Sequence, residues 1–260
     1  MTEDGRGILY PTRLPSFHRE PAPAALDGLI RWFWIPRWQL APGRSSRQEL
    51  LPFPASNLVV QPGGVSLAGP ATGASHRDLR GSGWAVGALL RPAGLASLAA
   101  EPPRIRDAEI PFDAPDLHRA VSTAMASPDE TAGRSQAVAA YAGWAAEQLA
   151  PVDENGALAN AMEDLIANDP GIVRVAQLAE QLGLSARSVQ RLARRYIGLP
   201  PLAVIRRYRL QEAAQRLRDD PTATIAQVAA DLGYADHAHL TTDFRTVLGL
   251  TPNRYRHTPG

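Results

Sequence analysis

The sequence predicts an α+β chain, with a small β-sandwich or barrel and following helices in front and an all-α region built on two helix-turn-helix units behind. Three observations carry this. One pattern occurs twice between Val175 and Tyr255, as VAQLAEQLGLSARSVQRLARRYIG and as IAQVAADLGYADHAHLTTDFRTVLG. Short runs rich in β-branched and aromatic residues, separated by turn signals, fill the chain up to Leu90. The charge is also divided. Within a net charge of +1, thirteen arginines face seven acids from Gly171 onward, and fourteen face nineteen before it. A basic module joined to an acidic one suits nucleic-acid binding by the basic part.

Residues 1–23 read as a proline-punctuated arm with Ile8-Leu9-Tyr10 as a first short strand. Leu29–Gln39 (LIRWFWIPRWQ) is the next, with Pro36 marking a bulge or an edge. Its period of two places Trp32 and Trp34 on one face and Phe33 on the other. Arg47–Leu51, Asn57–Gln61, Val65–Ala68, His76–Leu79 and Trp84–Leu90 complete the set, and Pro62-Gly63-Gly64 is a turn. After Arg91-Pro92 the pattern turns helical. Leu95–Ala99 opens a helix, and Asp113–Ala126 is a second, with a proline and acids in its first turn. Ser127-Pro128-Asp129 ends it. Ser135–Leu149 is Ala-rich and carries Val138, Tyr141, Ala145 and Leu149 on one side, as a helix in an interdomain or dimer contact does.

Pro151–Gly156 is a polar break, and Ala157–Asn168 is the leading helix of the basic module. In each copy of the repeat an alanine (Ala179, Ala229) stands four residues before a glycine (Gly183, Gly233). The alanine is small where two helices cross, and the glycine permits the positive φ that ends the first of them. Ser185 caps Ala186–Ile197, in which Val189, Leu192 and Tyr196 face inward and Arg187, Ser188, Gln190, Arg191 and Arg194 face outward. Arginine and glutamine pair bidentately with guanine and adenine edges, and a basic helix face attracts the phosphate backbone. Pro200-Pro201 starts a connector that runs through Arg218. Its nineteen residues span about 28 Å, near the roughly 34 Å at which major grooves recur on one face of DNA. Arg206, Arg207 and Arg209 lie on it, at least one suited to a phosphate contact or an internal ion pair. Thr224 and Gln227 form a capping box. Asp236 caps the second outward-facing helix, with Leu240, Phe244 and Val247 inward and His237, His239, Thr241, Thr242 and Arg245 outward. With one arginine, this helix is expected to read DNA more weakly, or by shape. Thr251-Pro252 starts a last short helix through Arg256.

Other chemistry finds little support. The chain has no cysteine and no lysine, which removes disulfides, thiolate zinc sites, cysteine nucleophiles, Schiff bases and a P-loop lysine. GSGWAVG lacks the spacing of a dinucleotide loop, and no GxSxG, HExxH or Walker pattern occurs. His237 and His239 alternate without a third ligand, and His18, His76 and His118 stand singly, so neither a metal nor a cofactor is expected. Catalytic residues are expected to be absent: the chain reads as no enzyme. The first twenty residues carry no signal-peptide pattern and no run approaches a membrane span, so a cytoplasmic protein is expected. Trp32, Trp34, Trp38 and Trp84 are the candidates for an effector pocket, with core packing as the default role of aromatics in strands.

The phrases GLSARSVQRL, RYRLQEAAQRL, GYADHAHLTTDF and TPNRYR resemble the DNA-binding domain of the AraC/XylS family of bacterial transcription regulators. That resemblance implies seven helices, with two helix-turn-helix units joined by one long helix. Ser185-Ala186 departs mildly from the Ser-Pro common in the family. LPFPASNLVV, GPATG and GWAVGALLRPAG are similar to the N-terminal domain that accompanies this module in a group of regulators. In the wider family this half is often a cupin-like barrel that binds an effector, dimerises, or both. The paired histidines and glutamate of a metal-binding cupin are missing here. The resulting expectation divides the chain into a mostly β regulatory domain at 1–126, a helical linker suited to a dimer contact at 127–155, and an AraC-type DNA-binding domain at 156–260. The expected function is a sequence-specific regulator of transcription, an effector-responsive activator that enters successive major grooves of double-stranded DNA. The alternative keeps the DNA-binding role and gives the front half to homodimerisation or RNA polymerase contact, without a small-molecule effector.

Overall fold

The computed structural model describes residues 16–257, so the Ile8-Leu9-Tyr10 strand lies outside the described residues. The front half contains β1 (Ser16–Pro21), β2 (Ile30–Gln39), β3 (Ser45–Leu50), β4 (Asn57–Gln61), β5 (Gly64–Ala68), β6 (Ser75–Arg80), β7 (Ser82–Trp84), β8 (Val86–Leu90) and β9 (Glu109–Pro111). The main sheet runs β1-β2-β8-β4-β5-β9, with β7 also beside β2, while β3 and β6 form a separate two-stranded ribbon. All the pairings are antiparallel. Part of the expected arm is therefore a strand: β1 pairs with β2 from Ser16 opposite Arg37 to Pro21 opposite Trp32. Trp84–Leu90 is two strands rather than one. β2 pairs with β8 over Ile30–Trp34 and with β7 over Arg37–Gln39. Pro36, which brings no N–H to a ladder, stands at the change of partner, and the Ala85 N–H donates to its carbonyl at 3.1 Å.

Helices supply the layer opposite this open sheet where a sandwich would use a second sheet. α1 (Pro92–Leu98), α2 (Pro115–Met125) and α3 (Glu130–Gln148) follow the strands. α3 starts five residues before Ser135 because the Asp129 carboxylate accepts from the N–H groups of Thr131 and Ala132, each at 3.0 Å. Phe33, Ile35, Leu58, Val60, Leu67, Val86 and Ala88 meet Leu117, Val121, Ala137, Tyr141 and Ala145 in the first core. The fully buried Tyr141 hydroxyl donates to the Leu58 carbonyl at 2.7 Å, and burial raises its pKa well above the usual value. The segment 127–155, expected as a helical linker, holds α3, whose buried face belongs to this core. Ala137, rather than Val138, shares the buried face of α3 with Gly133, Tyr141 and Ala145, at helical spacing.

The back half holds α4 (Glu154–Asn168), α5 (Val175–Gln181), α6 (Ala186–Tyr196), α7 (Pro201–Asp219), α8 (Ile225–Asp231), α9 (His237–Leu248) and α10 (Pro252–His257), seven helices among the described residues. α4 begins before the expected Ala157 because Asp153 caps it, accepting from the Gly156 N–H at 2.6 Å. α7 joins two cores: Val204, Ile205 and Tyr208 lie in one, and Leu210, Ala213, Ala214 and Leu217 in the next. The back half also covers the second face of the sheet. Leu89, with Trp32 beside it, packs into the core of α4–α7 together with Phe53 and Ala55. That explains why β8 reads VGALL, apolar without alternation: every one of its residues is buried. Phe33 is fully buried and sits edge-on to Tyr141 with ring centroids 5.2 Å apart. Phe33→Ala is expected to lower the free energy of unfolding by about 3–5 kcal/mol in denaturant melts, from lost transfer energy plus a cavity.

Candidate nucleic-acid interface

Each helix-turn-helix unit is fixed by the same local devices. Gly183 and Gly233 adopt φ of +64° and +67°, which turns the chain between the two helices of each unit. Ser185 accepts from the Ser188 N–H at 3.1 Å and Asp236 accepts from the His239 N–H at 2.7 Å, so both second helices are capped as expected. Gly198, at φ +87°, ends α6 against the short 3-10 helix Pro102–Ile105, where a Cβ would lie 2.8 Å from the Pro102 carbonyl oxygen.

α6 buries Val189, Leu192, Ala193 and Tyr196 and exposes Arg187, Gln190, Arg191 and Arg194, with Ser188 half-buried. No acid pairs with Arg187, Arg191 or Arg194 among the described residues, so three guanidinium groups stand on one exposed helix face. Arg195, outside the expected set, is exposed as well and lies over the Tyr196 ring at 5.7 Å. The outer surface of α9 is differently equipped. His237, His239, Thr242 and Arg245 are exposed and Thr241 is half-buried. Thr241 and Thr242 donate to the carbonyls of His237 and Ala238 at 2.8 and 2.9 Å, which commits their hydroxyl protons to the helix. His239 meets the Tyr234 ring edge-on at 5.2 Å.

The connector arginines divide three ways. Arg206 is exposed. Arg207 is half-buried and donates to the Thr72 carbonyl of the front half, so it faces the sheet side rather than open solvent. Arg209 is buried, donates to the Leu232 carbonyl at 2.8 Å and stacks on Tyr234 at 3.9 Å. Burial pulls its pKa below the ordinary value, with Tyr234 opposing. Arg209 is therefore the internal arginine of the three, held by a carbonyl and a ring, with Asp243 favouring its charge.

A seam of charge that sequence reasoning missed ties the two halves together. Glu163 on α4 is almost wholly buried and accepts from Arg31 of β2 at 2.7 Å and from the Tyr208 hydroxyl of α7 at 2.9 Å. Burial opposes the charge on Arg31, but Glu163, Tyr208 and Asp164 together outweigh it and raise the guanidinium pKa. Asp164 pairs with Arg31 at 3.0 Å and with Arg91. Asn160, one turn earlier, accepts from the Ala93 N–H at 3.1 Å and donates to the Gly28 carbonyl at 2.7 Å.

The four tryptophans do not converge on a pocket. Trp34 stands opposite Gly87 and Trp38 opposite Gly83 in the sheet, and each indole covers its partner glycine. A Cβ would come within 2.1 Å of Trp34 at Gly87 and within 2.3 Å of Trp38 at Gly83, which accounts for two glycines of GSGWAVG. The indole N–H groups donate to Asn57 Oδ1 at 2.8 Å and to the Arg80 carbonyl at 3.2 Å. Trp32 lies between the Arg19 guanidinium at 4.5 Å and Phe53 at 6.3 Å, and Trp84 packs on the first core. A cleft of about 190 Å³ near His18, Arg37 and Arg134, and another of about 180 Å³ near Ser56, Arg91 and Tyr196, are lined by no tryptophan.

Residues 178–258 match a family described as "Helix-turn-helix domain", and residues 18–111 match one described as "Domain of unknown function (DUF6597)". An AraC-like transcription regulator of Streptomyces lividans is 32% identical over 120 residues, which is 46% of this chain and 38% of that protein. The HTH-type transcriptional activator RhaS of Pectobacterium atrosepticum is 35% identical over 82 residues, 31% of this chain and 28% of that protein. The chain thus spans well under half the length of the curated relatives it matches. Among solved structures, an AraC-type regulator from Chromobacterium violaceum is 26% identical at TM-score 0.35, covering 40% of this chain and 94% of that one. ToxT from Vibrio cholerae, bound to a naphthalenyl butenoic acid, is 11% identical at TM-score 0.47, covering 93% and 98%.

Two outcomes are expected from the capped helices and the free arginines. Arg191→Ala should cost about 1–3 kcal/mol of specific DNA binding and relax discrimination at one base pair, read by fluorescence anisotropy on matched and single-mismatch duplexes. Equal weakening on every duplex would assign Arg191 to a phosphate instead. Asp236→Ala should destabilise the second unit by about 1 kcal/mol through loss of its N-cap, read in a thermal melt.

Proposed function

We propose that this chain, whose residues 178–258 are an AraC-type helix-turn-helix domain, is a sequence-specific DNA-binding regulator of transcription. The observation that carries the reading is the outer face of α6, where Arg187, Arg191 and Arg194 are exposed without an acid partner among the described residues. Such a face gains by releasing counterions from DNA and offers the forks that pair with guanine. α9, with Arg245 as its single arginine, supplies the weaker contact. The nineteen residues of α7 span about 28 Å, which suits recognition helices in successive major grooves about 34 Å apart. This reading places the protein with DNA in the cytoplasm and assigns it no catalysis. No helix among the described residues is long and apolar enough to cross a membrane.

For the front half, the reading is that of an effector-responsive activator. A second reading gives that half to homodimerisation or RNA polymerase contact without an effector. The packing of Trp34 and Trp38 against glycines, of Trp32 against Arg19 and of Trp84 against the core favours this second reading. The full-length chain is expected to bind duplex DNA with log K falling linearly in log salt, by a slope of about −0.9 per phosphate neutralised. Binding that ignores salt, or no binding, refutes the DNA reading. A thermal-shift screen against small metabolites separates the two roles of the front half, because an effector raises the melting temperature by mass action. Genome-wide mapping of bound sites would then point to the regulated genes.

A further inference from the structure

The three front-half phrases LPFPASNLVV, GPATG and GWAVGALLRPAG come together on the back half. Between β3 and β4 the chain runs as an irregular strap, Leu51–Ser56, across the middle of α7. Leu51 is buried in the core of the second helix-turn-helix unit, and Phe53 and Ala55 are buried in the core of the first. Between them, the Pro52 carbonyl accepts from Gln211 Nε2 at 3.0 Å, and the Phe53 ring sits edge-on to Tyr208 with centroids 5.4 Å apart. Tyr208 and Gln211 are one turn apart on α7, where it passes from one core to the other.

A second loop reinforces the first. Ala71 N–H donates to the Phe53 carbonyl at 3.3 Å. Thr72 is held by the Asp107 carboxylate, which accepts from its N–H and its hydroxyl at 2.6 Å each, and Asp107 itself adopts φ of +57°. The Thr72 carbonyl takes Arg207 of α7, and the Ala74 N–H donates to the Val247 carbonyl of α9 at 2.9 Å. The third phrase holds the other unit: Arg91 and Ala93 bind α4 through Asp164 and Asn160, and α1 packs on α6. The front half therefore grips both recognition helices directly, in addition to the covalent link that α7 provides.

We propose that the Leu51–Ser56 strap is a positioning element that sets the separation and twist of the two helix-turn-helix units, with Phe53 and its seat on Tyr208 as the positioning contact, so that the front half fixes which spacing of DNA half-sites the chain accepts. The proposal rests on the DNA-binding reading above. One added base pair moves a half-site by about 3.4 Å along the duplex and about a tenth of a turn around it, so a clamped pair of helices tolerates one spacing and a loosened pair tolerates several. The strap meets α7 and the buried sides of the two cores, so the half-site sequences themselves are left unchanged.

The test is selection from a pool of fully randomised duplexes by the full-length chain, its Phe53→Ala variant and its Gln211→Ala variant, followed by sequencing of the bound fraction. The native chain should enrich a two-part site at one spacing. The variants should enrich the same half-site sequences with that single spacing lost and neighbouring spacings appearing. A cooperative thermal melt and native helical content qualify each variant, and Gln211→Ala, the smaller change, decides the matter if Phe53→Ala does not fold. One unchanged spacing in a folded variant overturns the strap's role, as does enrichment of a single-helix site by the native chain. Enrichment of no duplex by the native chain instead refutes the DNA-binding reading beneath it.

Discussion

A carboxylate in the dry seam between the halves constrains everything around it. Glu163 has a side chain only 1% exposed, and a buried charge is costly, often by several kcal/mol, unless it is paired and hydrogen-bonded. Its partners come from different parts of the molecule. Arg31 reaches it from the sheet and Tyr208 from the connector helix. Sheet, leading helix and connector must therefore meet in one arrangement, since any displacement strands the charge. The apolar contacts of Phe53, Ala55 and Leu89 gather around this point and supply the area that non-directional packing contributes.

The same arrangement buries both faces of the sheet at its middle strands, β8 and β4. One faces α2 and α3, with Leu117, Val121 and Tyr141 in the core between them; the other faces the helix-turn-helix module. A sheet used in this way is a layer between helices. Across β2, the indoles of Trp34 and Trp38 fill the space that their partner glycines leave. In the helical layer, the caps of α6 and α9 orient the exposed faces of these two helices.

The helical half was largely legible in the residues. Ser185, Thr224 and Asp236 cap helices as read, the glycines end them, and Val189, Leu192, Tyr196, Leu240, Phe244 and Val247 are all buried. Local chemistry decides such features, and local chemistry is what a sequence displays. The sheet was less legible. Ser16–Pro21 has few β-branched residues and gains its place by pairing, and the break at Ala85 depends on Pro36, nearly fifty residues away. The tryptophans suggested a pocket because their partners, Gly83 and Gly87, become partners only through strand register. The seam left one trace: Asn160 and Glu163, polar residues three apart on the apolar side of α4 with Met162 and Ile166. Phe53 left none, since a phenylalanine between two prolines looks like any loop residue until the connector helix lies under it.

The shared core bears on how such a protein is recombined. Regulators of two parts are often pictured as interchangeable modules, a sensor swapped here and a reader kept there. A graft cut at residue 155 would carry the helix-turn-helix module away from Phe53, Ala55, Leu89 and Leu51, which complete its two cores. It would also leave Glu163 without Arg31. The unit of inheritance for this fold is therefore larger than its pair of helix-turn-helix units, and includes a six-residue loop, Leu51–Ser56, more than a hundred positions upstream of them.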